Sequence, residues 1–294
     1  MAKINLTGMG VALITPFCHD KTIDYDALSR LIEYQIKNGV DYIVALGTTS
    51  EAVTLTVDER TRLRNFIVER VNGRVPLVLG CGGNNTAAVI EELNTLNMRP
   101  FSAILSVVPY YNKPSQEGIY QHYAAIARVS PVPIILYNVP GRTGVNMKAE
   151  TTLRLAREFP NIIGIKEASG DMAQIDTLIK NKATDFSVIS GDDAMTFALM
   201  ALGAVGVISV IGNAFPKEFS RMVRLTLNGD YKNSLTIHHR FTRLFDLLFV
   251  DGNPAGVKCL LNMMGFIENE LRLPLVPTRL ATHQEISQVL KVLS

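Results

Sequence analysis

The sequence has no tryptophan, only three cysteines and no long apolar run, and these scarcities exclude several classes of protein. Cys18, Cys81 and Cys259 are too few and too scattered, without a C-x-x-C spacing, for a disulfide framework or a zinc site. No apolar run reaches the ~18 residues of a membrane span. The first residues carry no apolar segment of the kind found in signal peptides. We therefore expect a protein of a reducing, cytoplasmic compartment that does not bind membranes.

An excess of charge of either sign is also missing. Lysine and arginine together number 29 and aspartate and glutamate 27, so the formal net charge is +2. Nucleic acids and anionic membranes select strongly basic surfaces, so we expect neither as a partner. Hydrophobic residues, in contrast, make up 47% of the 294 positions. This composition is typical of a globular chain with a large buried core.

Short β-branched runs alternate with amphipathic segments along the first 230 residues. Eight runs have the composition of strands that are buried on both faces, as in parallel sheets. They begin near Gly10, Tyr42, Val75, Ala103, Pro133, Ile162, Phe186 and Gly206. Helix signals lie between them, such as the capping box that Thr56 and Glu59 can form.

Eight strand–helix units in succession predict a (β/α)8 TIM barrel over residues 1–230. A doubly wound sheet is the alternative, but no G-x-G-x-x-G opens a helix here. Residues 231–294 contain no clear strand. Their apolar residues recur at helical spacing in three segments, so we predict a C-terminal helical subdomain that packs on the barrel.

Lys166 stands at a predicted strand end, where (β/α)8 barrels build their active sites. It follows Ile162-Ile163-Gly164-Ile165, so alternation can direct its side chain into the barrel mouth. A solvated lysine has a pKa of ~10.4, whereas a partly desolvated amine can lose its proton and attack a carbonyl carbon. The alternatives are a lysine that extends to solvent at a strand end or one that pairs with Glu167.

Hydroxyl groups and one arginine stand at other strand ends. Thr48, Tyr111 and Tyr137 could pass protons without adding a charge that competes with an amine. Tyr137 is the natural acid/base beside Lys166, although a lone tyrosine more often packs in a core. Arg142 follows in a turn, where its guanidinium could bind a substrate carboxylate or form a surface salt bridge.

Metal and phosphate chemistry have weaker signals. The five histidines form no cluster with ligand spacing. We interpret Asp192-Asp193 as the cap of a helix that begins near Ala194, in preference to a metal site. No glycine-rich phosphate loop opens a helix. We therefore expect neither a metal nor a cofactor.

The strand-end motifs resemble the pyruvate-dependent class I aldolase superfamily of N-acetylneuraminate lyase, and within it most closely the dihydrodipicolinate synthase family. The likeness runs from about Gly10 to Gly265. The motifs shared across the superfamily are Gly47-Thr48-Thr49, Tyr137-Asn138-x-Pro140 and Gly164-Ile165-Lys166. Those more particular to the synthases are the run from Tyr110 to Gly118 and the turn from Pro140 to Gly144.

The resemblance implies a (β/α)8 lyase in which Lys166 forms a Schiff base with pyruvate. Tyr137 is then the general acid/base, and Thr48 and Tyr111 complete a hydroxyl relay. In the synthases the counterpart of Tyr111 comes from the partner subunit. A dimer, commonly within a homotetramer, is therefore implied as the active unit.

The resemblance also implies how the two substrates, pyruvate and L-aspartate 4-semialdehyde, are held. Thr49 and the Thr48 loop would bind the carboxylate of pyruvate, and Arg142 that of the aldehyde. Gly191 and Ile208 would line the pyruvate pocket. The implied product is 4-hydroxy-tetrahydrodipicolinate, in the committed step toward diaminopimelate and lysine.

Two departures from the family pattern concern the loop after the second strand and the feedback site. Ser50 stands where the family usually has glycine, which would strain the loop if that position needs a positive φ. Lysine-inhibited synthases bind lysine at the dimer interface with polar residues that include histidines and a glutamate. The matching positions here, our effector-site candidates, are Ala52, Val57, Arg60, Asn84, Ala88 and Tyr110. Because an acceptor for the ammonium group is lost and a cation is gained, we expect weak or absent inhibition by lysine.

Two other functions stay open at this stage. A pyruvate-releasing aldolase, acting on N-acetylneuraminate or a 2-keto-3-deoxy sugar acid, would use the same Lys166 and Tyr137. Arg142 and Tyr111 distinguish it from a synthase, because a polyol substrate needs more hydroxyl-binding groups. A non-catalytic barrel that binds a small molecule is the other alternative, and it predicts an unreactive Lys166.

Overall fold

Eight parallel strands close into a barrel in chain order, in a computed structural model that describes residues 4–293. Strand β8 pairs with β1 from Gly8↔Gly206 to Val11↔Ser209, which closes the ring. The strands are β1 (Gly8–Ala12), β2 (Tyr42–Ala45), β3 (Leu77–Gly80), β4 (Ala103–Val107), β5 (Ile134–Asn138), β6 (Ile162–Glu167), β7 (Ser187–Ser190) and β8 (Gly206–Ser209). The predicted TIM barrel is confirmed, and every predicted strand is present within two residues of its expected start.

The described residues form eight helices between the strands of the barrel and four more after β8. The first nine are α1 (Tyr25–Lys37), α2 (Val57–Val71), α3 (Thr86–Thr95), α4 (Gln116–Val129), α5 (Pro140–Thr143), α6 (Ala149–Glu158), α7 (Met172–Asn181), α8 (Thr196–Leu202) and α9 (Pro216–Leu227). The last three are α10 (Tyr231–Val250), α11 (Ala255–Met263) and α12 (Leu280–Leu293). The predicted capping box forms at the start of α2, where Thr56 and Glu59 each accept a hydrogen bond from the other's backbone N–H. No helix of residues 4–293 is long and apolar enough to cross a membrane.

Alternation along the strands divides the core into two layers. One cluster fills the barrel interior and includes Val44, Leu105, Ile135 and Ile189. The other lies between the strands and the surrounding helices and extends to the C-terminal helices, where the ring of Phe241 in α10 packs edge to face on Phe219 of α9 with the ring centroids 6.5 Å apart. The C-terminal helices are therefore continuous with the outer core. The division of the chain into two domains at residue 230 stays a prediction.

An irregularity in β6 turns Lys166 inward. Ile134 pairs with Ile162, but Ile135 pairs with Gly164, so one residue of β6 is extra. After this bulge Ile165 packs in the outer layer and Lys166 faces the interior. An extra residue reverses the facing of every later side chain in a strand. The inward direction of Lys166 was predicted correctly, but it depends on this bulge and not on uninterrupted alternation.

Candidate active site

Lys166 and Tyr137 lie side by side at the carboxyl ends of adjacent strands. They are paired in the register of β5 and β6. The Lys166 Nζ atom lies 4.3 Å from the centroid of the Tyr137 ring. Both side chains are buried, with 6% and 7% of their surface exposed. An amine and a phenol therefore meet in a site from which most water is excluded.

Glu167 does not neutralise Lys166, although it is the next residue in the chain. It points toward α7, where its carboxylate accepts hydrogen bonds from the backbone N–H of Ser169 at 2.8 Å and from Nε2 of Gln174 at 3.3 Å. The Nδ2 atom of Asn138 lies 3.2 Å from both of its carboxylate oxygens. Burial raises the pKa of Glu167, and these donors oppose that shift. The alternative in which Lys166 pairs with Glu167 is wrong.

A cavity of about 400 Å³ opens over the ends of β2 to β5 and reaches Tyr137. Apolar side chains such as Leu105, Val107 and Val139 form part of its wall. Its polar lining includes Thr48, Tyr110, Tyr137 and Arg142. Arg142 lies in the short helix α5 and its side chain is exposed. The cavity thus joins a hydroxyl-lined end near Lys166 to a guanidinium group at its rim.

Because Gly191 has no side chain, the side chain of Lys166 has room beside it. A Cβ atom at position 191 would lie 3.1 Å from Cε of Lys166 and 2.8 Å from Cβ of Ala168. Ile208 is 1% exposed and belongs to the interior cluster that also contains Tyr137 and Ile189. Both residues thus lie on the inner side of the barrel, and their role in a pyruvate pocket stays a prediction.

The loop after β2 accommodates Ser50 without strain. Thr48–Ser50 forms one turn of 3-10 helix, and the Ser50 hydroxyl donates to the carbonyl of Gly47 at 2.7 Å. The left-handed backbone of this loop falls instead on Leu46 and Glu51, each with φ 56°. The strain that a positive φ at Ser50 would have produced is therefore absent.

Tyr111 is not brought to Tyr137 within one chain. Its side chain is 87% exposed, and its φ is 75°. Its backbone N–H donates to the carbonyl of Thr143 at 3.3 Å, which ties the Tyr111 segment to α5. The side chain therefore projects from the rim of the cavity, where a second protomer could receive it.

The effector-site candidates surround a second cavity of about 550 Å³ beside the first. Val57, Arg60, Asn84 and Ala88 line this second cavity, whereas Ala52 and Tyr110 line the first. The two cavities share a wall formed by Arg60, Arg64, Gly82 and Glu92. The Nδ2 atom of Asn84 donates to the carbonyl of Tyr110 at 3.3 Å, which links the two groups.

Cys81 lies in the wall of the first cavity but is only 2% exposed. Its Sγ atom is 3.7 Å from Oε2 of Glu92. Burial, and to a lesser extent the charge of Glu92, raises the pKa of the Cys81 thiol well above its ordinary value. A thiol held protonated is a poor nucleophile, so Cys81 is buried rather than reactive.

The prediction that Asp192-Asp193 caps a helix was wrong for Asp193, whereas Oδ1 of Asp192 accepts the backbone N–H of Ala194 at 2.9 Å in the turn before α8. Helix α8 begins at Thr196 with no side-chain cap. One carboxylate oxygen of Asp193 instead accepts the backbone N–H groups of Val210 and Ile211, at 2.9 and 2.8 Å. Burial raises its pKa to about 6. Asp193 therefore holds the loop after β8 in place by hydrogen bonds. Residues 4–293 contain no group of three or more His, Cys, Asp or Glu side chains that could bind a metal ion.

The sequence-based interpretation missed two residues, Lys258 and Asn253, that contact the loop after β2. Lys258 forms a buried ion pair with Glu51, and Asn253 donates a hydrogen bond to Thr49. Lys258 stands in the otherwise apolar run Val257–Leu261. A lysine within an apolar helical run is a signal of an interior cation, and it could have been recognised.

The chain is similar in sequence and in fold to known proteins. The model of the Dihydrodipicolinate synthetase family matches residues 5–293. The 4-hydroxy-tetrahydrodipicolinate synthase of Parabacteroides distasonis is 67% identical over 294 residues, which cover 100% of this chain and 99% of the relative. The crystal structure of dihydrodipicolinate synthase from Aquifex aeolicus is 41% identical with a TM-score of 0.94, covering 98% of both chains.

A second similar structure contains pyruvate. It is the chloride-inhibited dihydrodipicolinate synthase from Acinetobacter baumannii complexed with pyruvate, which is 41% identical with a TM-score of 0.94 and 98% coverage of both chains. The family model and the relative both extend over nearly the whole sequence, including every candidate site residue. On these grounds the chain belongs to the dihydrodipicolinate synthetase family.

Proposed function

We propose that this protein is a lyase that condenses pyruvate with L-aspartate 4-semialdehyde to give 4-hydroxy-tetrahydrodipicolinate, in lysine biosynthesis through diaminopimelate. The observation that carries the proposal is the buried pair of Lys166 and Tyr137 beside a cavity with Arg142 in its wall. The identity of the relatives and the pyruvate in the Acinetobacter baumannii structure support it.

The first half of the proposed reaction uses Lys166 and the hydroxyl groups around it. The neutral amine attacks the C2 carbonyl of pyruvate, and loss of water gives an imine. Loss of a proton from the methyl group then gives an enamine. Tyr137 exchanges these protons and Thr48 extends the relay toward solvent, because hydroxyl groups transfer protons without bringing a charge into the site.

The second half joins the enamine to the aldehyde. The enamine carbon attacks the aldehyde carbon of L-aspartate 4-semialdehyde, and the aldehyde oxygen takes a proton from Tyr137 and becomes the hydroxyl group of the product. Arg142 holds the carboxylate of the aldehyde during this step, since a guanidinium forms two parallel hydrogen bonds to a carboxylate. The amino group of the condensed product then displaces Lys166 from C2, which closes the ring and frees the lysine. No step of this sequence requires an electron acceptor.

The complete site is proposed to contain Tyr111 from a second protomer, within a homodimer or homotetramer. The support is the exposure of Tyr111 at 87%, together with the exposed apolar side chains of Val53 in the wall of the first cavity and Val57 in that of the second, at 91% and 68%. Exposed apolar groups at the rim of a site are typical of an interface. We also propose a reducing, cytoplasmic compartment, which the three free cysteines support.

The test is consumption of pyruvate by the purified protein with L-aspartate 4-semialdehyde as the second substrate. We expect turnover with this aldehyde and none with N-acetylmannosamine or a sugar-derived aldehyde. Turnover only with the sugar aldehydes would assign the protein to the pyruvate-releasing aldolases. Folded protein that turns over neither would overturn the proposal.

A further inference from the structure

The Thr48–Ser50 turn, which is proposed to bind the carboxylate of pyruvate, is followed by Glu51, and Glu51 forms a buried ion pair with Lys258. The Nζ atom of Lys258 lies 2.5 Å from Oε1 of Glu51, and both side chains are fully buried. The other carboxylate oxygen of Glu51 accepts the backbone N–H of Arg272 at 3.1 Å. Lys258 also donates to the carbonyl of Glu270 at 2.9 Å. A buried ion pair is costly to form without such additional hydrogen bonds, and here it ties the turn to the C-terminal segment.

Asn253, in the same C-terminal segment, reaches a proposed substrate-binding side chain. Its Nδ2 atom donates to Oγ1 of Thr49 at 2.9 Å. The two residues are 6% and 3% exposed, and the bond is fully buried. Asn253 lies between α10 and α11, directly before the helix that carries Lys258. The ion pair and this hydrogen bond therefore both connect the loop after β2 to the segment at the start of α11.

The direction of this hydrogen bond determines what Thr49 can offer a ligand. A threonine hydroxyl has one proton to donate and two lone pairs to accept with. Because Asn253 donates to Oγ1, the Thr49 proton remains available for an acceptor on the substrate side. A carboxylate has only acceptors, so this orientation suits an anion. An acceptor at position 253 would instead take the Thr49 proton.

We propose that Asn253 is a positioning residue that holds the Thr49 hydroxyl as a hydrogen-bond donor to the carboxylate of pyruvate. The inference rests on the proposed function, because it takes pyruvate as the ligand of the turn. Asn253 itself does not contact the reacting atoms. Its effect is on the affinity for pyruvate and not on the proton transfers at Tyr137 and Lys166.

The test replaces the donor by an acceptor in Asn253→Asp and measures two quantities. The first is the pyruvate concentration that gives half-maximal borohydride-trapped adduct, which does not involve the aldehyde. The second is kcat at saturating pyruvate. Losing a hydrogen bond to a charged group corresponds to about a tenfold to hundredfold change in affinity. We expect that increase in the half-saturating concentration with kcat little changed, the pattern of lost binding in the ground and transition states alike.

Two further variants separate positioning from general damage. Thr49→Val removes the hydroxyl, so Asn253→Asp should have little additional effect in that background. Asn262→Asp is the matched control, because Asn262 lies in the neighbouring helix and its Nδ2 donates to the carbonyl of Ile267 at 2.9 Å. It should bind pyruvate as the wild type does. Asn253→Ala serves in the same comparison if the aspartate variant does not fold.

The outcomes distinguish the inference from the function on which it rests. Wild-type affinity in Asn253→Asp, or an equal loss with and without the Thr49 hydroxyl, would overturn the positioning role and leave the proposed function intact. Wild-type protein that forms no adduct with pyruvate would overturn the proposed function, and the role of Asn253 with it. Weaker pyruvate binding that depends on Thr49 supports both.

Discussion

The Nδ2 atom of Asn138 lies 3.2 Å from both carboxylate oxygens of Glu167, directly behind the paired Tyr137 and Lys166. The chain thus places two successive cross-strand pairs at the ends of β5 and β6. The pair of Asn138 and Glu167 joins the strands by hydrogen bonds and holds the Glu167 carboxylate away from the amine of Lys166. The pair of Tyr137 and Lys166 places an amine beside a phenol, which is the arrangement that Schiff-base chemistry needs.

Replacing Tyr137 by phenylalanine should abolish most of the turnover without unfolding the barrel. The ring would keep its packing over Lys166, whereas the hydroxyl that exchanges protons would be lost. Loss of a positioned acid/base typically costs ~10²–10⁴-fold in rate. The checks are kcat with both substrates and a thermal unfolding curve. Near-normal kcat in the folded variant would remove Tyr137 from the mechanism.

Arg142→Lys should weaken binding of the aldehyde while leaving that of pyruvate unchanged. Lysine keeps the charge but lacks the planar fork that matches a carboxylate. We expect KM for L-aspartate 4-semialdehyde to rise about tenfold to a hundredfold. Adduct formation with pyruvate alone is the internal control, since it precedes aldehyde binding. An equal loss for both substrates would show that Arg142 maintains the structure of the site and does not select the aldehyde.

Lysine should inhibit this protein weakly or not at all. At three of the effector-site candidates in the cavity beside the active site, Val57 and Ala88 supply no carboxylate for an ammonium group and Arg60 adds a cation that repels it. The carboxylates that do line this cavity, Glu91 and Glu92, share it with the cations Arg60 and Arg64. The measurement is a lysine titration of the initial rate at fixed substrate concentrations. Arg60→His combined with Ala88→Glu should increase the inhibition. Strong inhibition of the wild type at sub-millimolar lysine would contradict this expectation.

Part of the site was predictable from local sequence, and part was not. The strand runs and Lys166 at a strand end follow from the composition of a few neighbouring residues. The bulge in β6 depends on pairing with β5, which no single strand determines. Asn253 meets Thr49 across 204 positions of sequence, and only the closed barrel with its C-terminal helices brings such residues together. Tyr111 is exposed and does not meet Tyr137 of its own chain. We propose that it completes the site of a second protomer, and such a contact lies outside what one chain can show.

Glu59 should contribute to stability at neutral pH and lose that contribution in acid. Hydrogen bonds from the Arg272 guanidinium lower its pKa from about 4.5 to about 2. A carboxylate with a depressed pKa stabilises the folded state above its unfolded pKa, and the effect disappears as the pH falls toward 2. Glu59→Gln should therefore be less stable than the wild type at pH 7, and the difference should diminish below pH 4.

Urea unfolding at pH 7 and pH 3 measures this difference directly. Glu69→Gln, at an exposed position of the same helix α2, is the matched control and should unfold as the wild type does at both values. A difference between Glu59→Gln and the wild type that stays constant from pH 7 to pH 3 would show that the charge of Glu59 is not its cause.

The central claim is that Lys166 is the amine that binds pyruvate covalently, and borohydride reduction followed by mass spectrometry tests it most directly. Wild-type protein treated with pyruvate and borohydride should gain the mass of one reduced pyruvate per chain, on the peptide that contains Lys166. Lys166→Ala should gain none, while the exposed Lys180→Ala should gain the same mass as the wild type. An adduct on another lysine, or an unchanged wild-type mass, would contradict the account.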